Sequence, residues 1–501
     1  MTELAGGFIH SFTPYPFFLI CLGTVLGITV GAIPGLTGAM LIALTLPFTF
    51  YMAPVDGITL LVAMYVGAIS GGLITATLLR MPGTPAAVMT TFDGYPMARS
   101  GRPGRALGLG ITASFVGGLI SWVFLATLSQ PLSDFAVRFG PFEYFALVLM
   151  ALVLIASVTE GSMIKGLLSG MLGMLVAMPG VDPSAGDLRL TYGFHEMDAG
   201  LNLLPVLIGV FAIGQVISDV VKIEERVEAV KMDRKGIFLS VGDWFKHAVN
   251  LIRSSLIGTW IGILPGVGAN IGSIVAYTGA KTFSKKPEAF GTGSEEGIIA
   301  SEAANNATVG GALVPLIAMG IPGSVIDAIL LGALLVHSIQ PGPLLFVNNP
   351  DVVYAVIATA LIANVVMFAV MLGAVGHLAK LRNVPRAFLM PTIVVFCVVG
   401  SYALSNRMFD VWVMLFFGVV GYFLERAKVP LGPFVIGLVL APIAEESLRS
   451  GLMLSNGSYA PLATRPMSAA FMVVAIIMLI WPIWRHYKAH RNGKSLPAVG
   501  N

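Results

Sequence analysis

Charge is scarce in this 501-residue chain: Asp, Glu, Lys and Arg make up 11% of it, against 56% hydrophobic residues. Soluble domains carry about a quarter charged residues, so a soluble fold is excluded. Cysteine is nearly absent. Cys21 and Cys397 both lie in apolar runs, which excludes a disulfide framework and a thiolate metal cluster. The net charge of +3 is small and the basic residues sit in short loops, which argues for membrane topology and against nucleic-acid binding. The first residues, Met1 to His10, lack a basic stretch and a clear cleavage site, so no removable signal peptide is expected. Nucleotide motifs are missing too. Gly493-Lys494-Ser495 lacks the upstream glycine of a phosphate loop, and Gly266-Val-Gly268-Ala-Asn-Ile-Gly272 has the wrong spacing for a dinucleotide turn. Ala68-Ile69-Ser70-Gly71 has the outline of a buried serine-nucleophile turn, but no histidine is placed to serve it. The chain is expected not to be an enzyme, to use no cofactor and to bind no metal.

What is present is apolar sequence of membrane-spanning length, along the whole chain. Segments at about 14–33, 36–52, 57–92, 106–128, 141–159, 161–180 and 200–221 form one set. Segments at about 248–264, 267–281, 298–340, 352–378, 388–404, 409–424, 430–443 and 467–484 form another. The 58 glycines suit close helix packing in lipid. The expected fold is all-α and polytopic. A first transmembrane repeat covers 1–221, a cytoplasmic linker 222–247 and a second repeat 248–443. Residues 444–501 are expected to form a periplasmic loop, a terminal transmembrane helix and a basic cytoplasmic tail. The linker carries Glu224, Glu225, Arg226, Glu228, Lys231, Asp233, Arg234 and Lys235, and reads as an amphipathic connector or a solvated charged helix.

Loop charge orients the spans. Basic residues concentrate on the cytoplasmic side of membrane proteins. Arg99, Arg102 and Arg105 place one loop there, as do the loop from Lys222 to Lys246, Lys281/Lys285/Lys286, Lys380/Arg382/Arg386, Arg426/Lys428 and the tail from Arg485 to Lys494. The opposite loops are poor in base: Asp182 to Asp198 holds one arginine, Asn348 to Asp351 none.

Two motifs punctuate the apolar sequence in matching places. Gly27-Ile-Thr-Val-Gly31-Ala-Ile-Pro34-Gly35 recurs as Gly258-Thr-Trp-Ile-Gly262-Ile-Leu-Pro265-Gly266. Met81-Pro82-Gly83-Thr84 then recurs as Ile321-Pro322-Gly323-Ser324. Let each first motif be the tip of a hairpin with no net crossing, and each second a break in a helix that crosses once. Every charged loop then falls on the side its charge demands. The N-terminus is periplasmic, the C-terminus is cytoplasmic, and the two halves enter from opposite sides. These are inverted-topology repeats with Pro-Gly-broken helices, the outline of a secondary transporter. Fully spanning arms give the same parity, so charge leaves the re-entrant and spanning alternatives open.

Broken helices survive in lipid only where protein or a wet cavity satisfies the freed backbone groups, and their N-termini offer N–H donors to anions. The expected substrate site therefore collects Pro34, Gly35, Thr37, Arg80, Pro82, Gly83, Thr84, Pro265, Gly266, Asn270, Ser273, Asn305, Asn306, Pro322, Gly323 and Ser324. Singly, the short polar side chains also fit helix packing or capping. Asn305 and Asn306, read as lying at the start of a broken helix, have amides suited to carboxylates or cations. Arg80 is expected to pair with a substrate carboxylate or to snorkel. Ser70, Thr308 and Asp327 are candidates for a coupling ion, with Asp327 also readable as a helix N-terminal capping acid.

Together these residues resemble the large transmembrane subunit (TctA-like) of the tripartite tricarboxylate transporter family. The likeness runs to about residue 465 and is strongest over Gly27–Gly38, Leu79–Gly110, Gly258–Ser273 and Ser301–Ser324. Glu302-Ala-Ala-Asn305-Asn306-Ala and Gln340-Pro341-Gly342-Pro343 are characteristic. One departure is Arg80, where many members resembling this chain have asparagine. The resemblance implies a small TctB-like membrane subunit and a periplasmic TctC-like solute-binding protein as partners, in the bacterial inner membrane. It implies uptake of a tricarboxylate or related organic anion driven by Na⁺ or H⁺. The expected mechanism is an elevator-type movement of the hairpins and breaks against the other helices. A one-component anion carrier stands as the alternative, with a channel or an intramembrane hydrolase as remoter ones.

Overall fold

The computed structural model describes residues 2–158, 162–182, 185–221, 230, 232–378, 380 and 386–491. Of the linker charges, Glu224, Glu225, Arg226, Glu228 and Lys231 lie outside the described residues, as do Lys222, Arg382 and Lys494.

The chain is almost wholly helical. In order the helices are α1 (Thr2–Ser11), α2 (Pro14–Gly31), α3 (Gly38–Thr49), α4 (Pro54–Leu79), α5 (Val88–Arg99), α6 (Pro103–Ala136), α7 (Pro141–Val158), α8 (Met163–Val176), α9 (Leu203–Ile208) and α10 (Gly214–Val221). The second half gives α11 (Val241–Ile263), α12 (Gly268–Phe283), α13 (Glu295–Met319), α14 (Val325–Val336), α15 (Leu345–Asn348) and α16 (Pro350–Leu378). It closes with α17 (Arg386–Ser405), α18 (Met408–Arg426), α19 (Leu431–Leu454), α20 (Pro461–Thr464) and α21 (Pro466–Arg491). A two-residue strand pair, β1 (Gly180–Val181) antiparallel to β2 (Leu188–Arg189), lies between α8 and α9. Among the described residues, eight helices are long and apolar enough to cross a membrane. The chain is a multi-pass membrane protein.

Two expected boundaries move. Helix α6 runs on to Ala136, past the apolar segment ending near 128, and α19 runs on to Leu454, past the boundary at 443. Both extensions are polar and yet paired. Ser133 at the end of α6 donates to the Pro343 carbonyl at 2.7 Å. Near the end of α19, Glu445 accepts from Arg189 at 2.5 Å and 2.6 Å, and Arg449 donates to Asp182 at 2.7 Å. Residues 444–454 are therefore helix, not the start of a loop.

Helices α4 and α13 form the centre. Both are buried along essentially their whole described length, as a helix apolar on every face must be. Helix α4 packs chiefly on α2, and α13 on α6 and α11. Peripheral helices instead turn Val123, Leu168, Trp260, Trp412 and Ile477 outward, the apolar surface that lipid requires.

The expected hairpins form, as α2–α3 and α11–α12. The 12 residues of α3 rise about 18 Å, short of a bilayer core of about 30 Å. The hairpins open toward opposite ends of the bundle. The open end of α2–α3 lies with α1, the end of α14 and the end of α17: His10 stands 3.5 Å from Asp56, and Tyr51 donates to the Ala403 carbonyl at 3.1 Å. A Cβ on Gly57 would meet His337. The open end of α11–α12 lies with the start of α6: Arg105 donates to both oxygens of Asp243, at 2.9 and 2.6 Å, and to Glu295 at 3.0 Å. Asp243 also closes a capping box with Ser240. The Arg105 guanidinium, before the Ser240 hydrogen bonds, holds the Asp243 carboxyl below the usual carboxylate range.

Candidate functional site

The recurrent motifs build recurrent contacts. A Cβ on Gly27 would strike the carbonyl of Met64, as one on Gly258 would strike that of Ala304. Gly31 meets the Ala68 carbonyl as Gly262 meets that of Thr308, and Gly71 meets the Ile28 carbonyl as Gly311 meets that of Thr259. Gly83 lies against the Gly31 carbonyl as Gly323 lies against that of Gly262. Each hairpin is thus pressed backbone to backbone on its broken helix, and each tip touches the break. In the second half the Gly266 N–H donates to the Pro322 carbonyl at 3.2 Å.

The breaks end their helices alike. Gly320 closes α13 at φ 71, ψ 25, with its N–H on the Leu316 carbonyl and the next N–H on that of Pro315. Arg80 closes α4 in the same left-handed conformation, φ 55, ψ 23. There a Cβ costs about 1 kcal/mol or more, which glycine avoids and asparagine tolerates. An asparagine at this position would therefore have a backbone reason. Arg80 itself is exposed, with no hydrogen-bond or ion-pair partner among the described residues. Arg80→Asn is expected to raise thermal stability by about 1 kcal/mol, read as a higher melting temperature in detergent. A lower melting temperature would show that the guanidinium holds something in place.

The polar candidates divide into satisfied and unsatisfied groups. Thr37 caps α3 by accepting from the Met40 N–H at 3.2 Å. Ser273 donates to the Ser301 carbonyl at 3.3 Å, and Thr308 to the Asn305 carbonyl at 2.6 Å. Ser70 donates to Asn306 Oδ1 at 2.6 Å, and Asn306 Nδ2 donates to the Glu302 carbonyl at 3.1 Å. Asn270 lies in the first turn of α12, half-buried. The tips Pro34-Gly35 and Pro265-Gly266 lie against Asp219 and Ile155 respectively. Pro82 is exposed, whereas Gly83, Pro322 and Gly323 are buried.

Asn305 is different. It is fully buried, and neither Oδ1 nor Nδ2 has a partner among the described residues. Thr84, 4% exposed, likewise leaves its Oγ1 unpaired. Helical spacing puts Asn305 between the side of α13 turned to α12, marked by Ser301, and the side turned to α4, marked by Asn306. The single 3₁₀ turn Pro85–Ala87 after the first break packs against both α12 and α13. The two asparagines lie inside α13, well before its end at Met319, and not at the start of a broken helix as expected.

Two buried carboxylates stand on α13 and α14. Glu302, fully buried, accepts from Thr90 at 2.5 Å and from Ser114 at 3.1 Å. Asp327, fully buried, accepts from Ser324 at 2.5 Å and from Tyr65 at 3.4 Å, all on Oδ2. Glu302 and Tyr65 were not among the expected site residues. Glu302 had a signal: it is the one acid in the buried stretch of α13 from Gly297 to Ala318, and intramembrane acids mark function. Tyr65 had none, because its partners come from the other half of the chain.

Comparison with known proteins decides the class. Residues 17–436 match the tripartite tricarboxylate transporter TctA family. The chain belongs to that family. It is the membrane subunit of a transporter and not an enzyme. The family works in general as part of a three-component system with TctB and TctC partners. Two relatives come from Agrobacterium vitis. One, an "uncharacterized 52.8 kDa protein in TAR-I ttuC' 3'region", is 33% identical over 98% of each chain. The other, an "uncharacterized protein in TAR-II ttuC' 3'region", is 32% identical over 47% of this chain and 97% of its own length. No solved structure matches.

Proposed function

We propose that this chain carries a tricarboxylate or related organic anion across the bacterial inner membrane into the cell, driven by a Na⁺ or H⁺ gradient. It receives the substrate from a periplasmic TctC-like binding protein and works beside a TctB-like subunit. The two halves are inverted repeats, with the N-terminus periplasmic and the C-terminus cytoplasmic. Opposed hairpin openings, matched glycine contacts and the basic loops support that arrangement. The substrate site lies where the hairpin tips and breaks converge, and an elevator-type shift of that unit exposes it to each side in turn.

The observation that carries the reading is Asn305. A buried amide with both polar atoms unpaired costs a few kcal/mol, and buried polar atoms left so in a native fold call for a reason. A carboxylate accepting from Nδ2 supplies one. Arg80, exposed beside the first break, is placed to attract an anion toward it.

The test is uptake. Cells or vesicles carrying this chain with both partners should accumulate a labelled carboxylate saturably and only under an ion gradient. Removing the binding protein should abolish it. Accumulation by the purified chain alone favours the one-component alternative, and unsaturable conductance favours a channel. The topology is checked separately with Glu3→Cys in a chain lacking Cys21 and Cys397. Labelling only from the cytoplasm would overturn the inverted arrangement.

A further inference from the structure

The two breaks frame half-sites that correspond in place but not in charge. Matching Pro82-Gly83 to Pro322-Gly323 brings Tyr65 of α4 into register with Asn305 of α13, Thr84 with Ser324, and Ala87 with Asp327. At the second break Tyr65 reaches across from the first half. Its hydroxyl lies 3.1 Å from Ser324 Oγ and donates to Asp327 Oδ2 at 3.4 Å, while Ser324 donates to the same oxygen at 2.5 Å. Oδ1 of Asp327 is buried and has no partner among the described residues. Helices α3, α4, α9, α13 and α19 pack on α14, and Tyr65 is the titratable side chain they bring to the carboxylate. No Lys, Arg or His is paired with it among the described residues. At the first break the corresponding groups are all neutral. Asn305 and Thr84 keep unpaired polar atoms, and Ala87 stands where the acid would be.

We propose that the half-sites divide the work: Asp327, with Ser324 and Tyr65, takes the coupling cation, and Asn305 with Thr84 takes the carboxylate of the substrate. This rests on the carboxylate-carrier reading above and assigns its two ligands. A buried carboxylate with one oxygen bare requires positive charge, and its oxygen donors suit Na⁺ or a proton alike. Ionised, it disfavours an anion bound in the same low-dielectric interior. An amide N–H and a hydroxyl donate to an anion and add no charge of their own. Neutralising Asp327 therefore favours substrate at Asn305, and bound substrate favours the cation by the same factor.

The experiment uses the full chain with both partners in proteoliposomes. The probes are labelled citrate, succinate and tartrate, followed with whichever the parent takes up. Apparent substrate affinity is read with and without Na⁺ at fixed pH, and across pH without Na⁺, which separates the two cations. The parent should gain about tenfold or more in affinity from one of them. Asp327→Asn, neutral throughout, should lose that dependence and fail to concentrate substrate under the gradient. Ser324→Ala should raise the half-saturating cation concentration several-fold. Thr84→Val should weaken substrate binding at saturating cation and leave the cation dependence as it was. If Asp327→Asn keeps the parent's cation dependence, or if it does not fold and Ser324→Ala behaves as the parent, the assignment is wrong. If the parent takes up no probe under either gradient, the carboxylate-carrier reading itself fails.

Discussion

Asn305→Leu is expected to leave the protein as stable as its parent or more so, and to reduce uptake about tenfold or more. The two effects have opposite signs for a physical reason. The side chains share their heavy-atom count and branch point, and the strain of leucine's bulkier methyls in the packed interior of α13 offsets only part of the gain. Leucine removes two buried polar atoms that have no partner among the described residues, each a burden of about 1–3 kcal/mol. What is lost is a donor to the anion, and hydrogen bonds to charged groups contribute about 1.5–3 kcal/mol. Thermal unfolding in detergent and uptake over a range of substrate concentrations measure the two separately. A variant that melts earlier and keeps its parent's kinetics would make Asn305 a structural residue.

The second large effect belongs to the hairpin seams. Gly258→Ala should cost several kcal/mol and strip folded protein from the membrane, because the added methyl meets the Ala304 carbonyl and Cα of the buried α13, which cannot move aside. Gly27→Ala should do the same against Met64 and Ala68 of α4. Gly373→Ala on α16 is the control. Nothing lies within 4 Å of its added Cβ, so the gain in helix propensity should leave the protein unharmed or firmer by up to about 1 kcal/mol. Folded yield and melting temperature of the three variants give the comparison. Equal behaviour of Gly258→Ala and Gly373→Ala would mean that the hairpin is not pressed against α13.

The spans were legible in the sequence where lipid dictates them. Helices α2, α7, α16 and α18 begin and end within a few residues of the apolar segments. The ends of α6 and α19 were not, because Ser133, Glu445 and Arg449 read as loop, and their partners lie far along the chain. The breaks were legible because proline and glycine act locally. The site was legible in part. Asn305, Ser324 and Asp327 stand out as polar residues in apolar sequence. Sequence spacing gave no sign of the left-handed backbone at Arg80, and it passed over Tyr65, whose partners belong to the other half.

The pairing of α6 with α13 also bears on the order of biogenesis. Helix α6 leaves the ribosome long before α13, so it must wait in lipid without the neighbour it packs against most. Two of its hydroxyls can wait. Ser129 donates to the Leu125 carbonyl at 2.6 Å and Ser121 to that of Gly118 at 3.1 Å, so both are served within their own helix. Glu302 and Asn306, which lipid penalises heavily, lie on α13. They arrive when Thr90, Ser114 and Ser70 are already in the membrane to meet them. At these contacts the later half brings its acid and its amide into a bilayer where their partners are waiting.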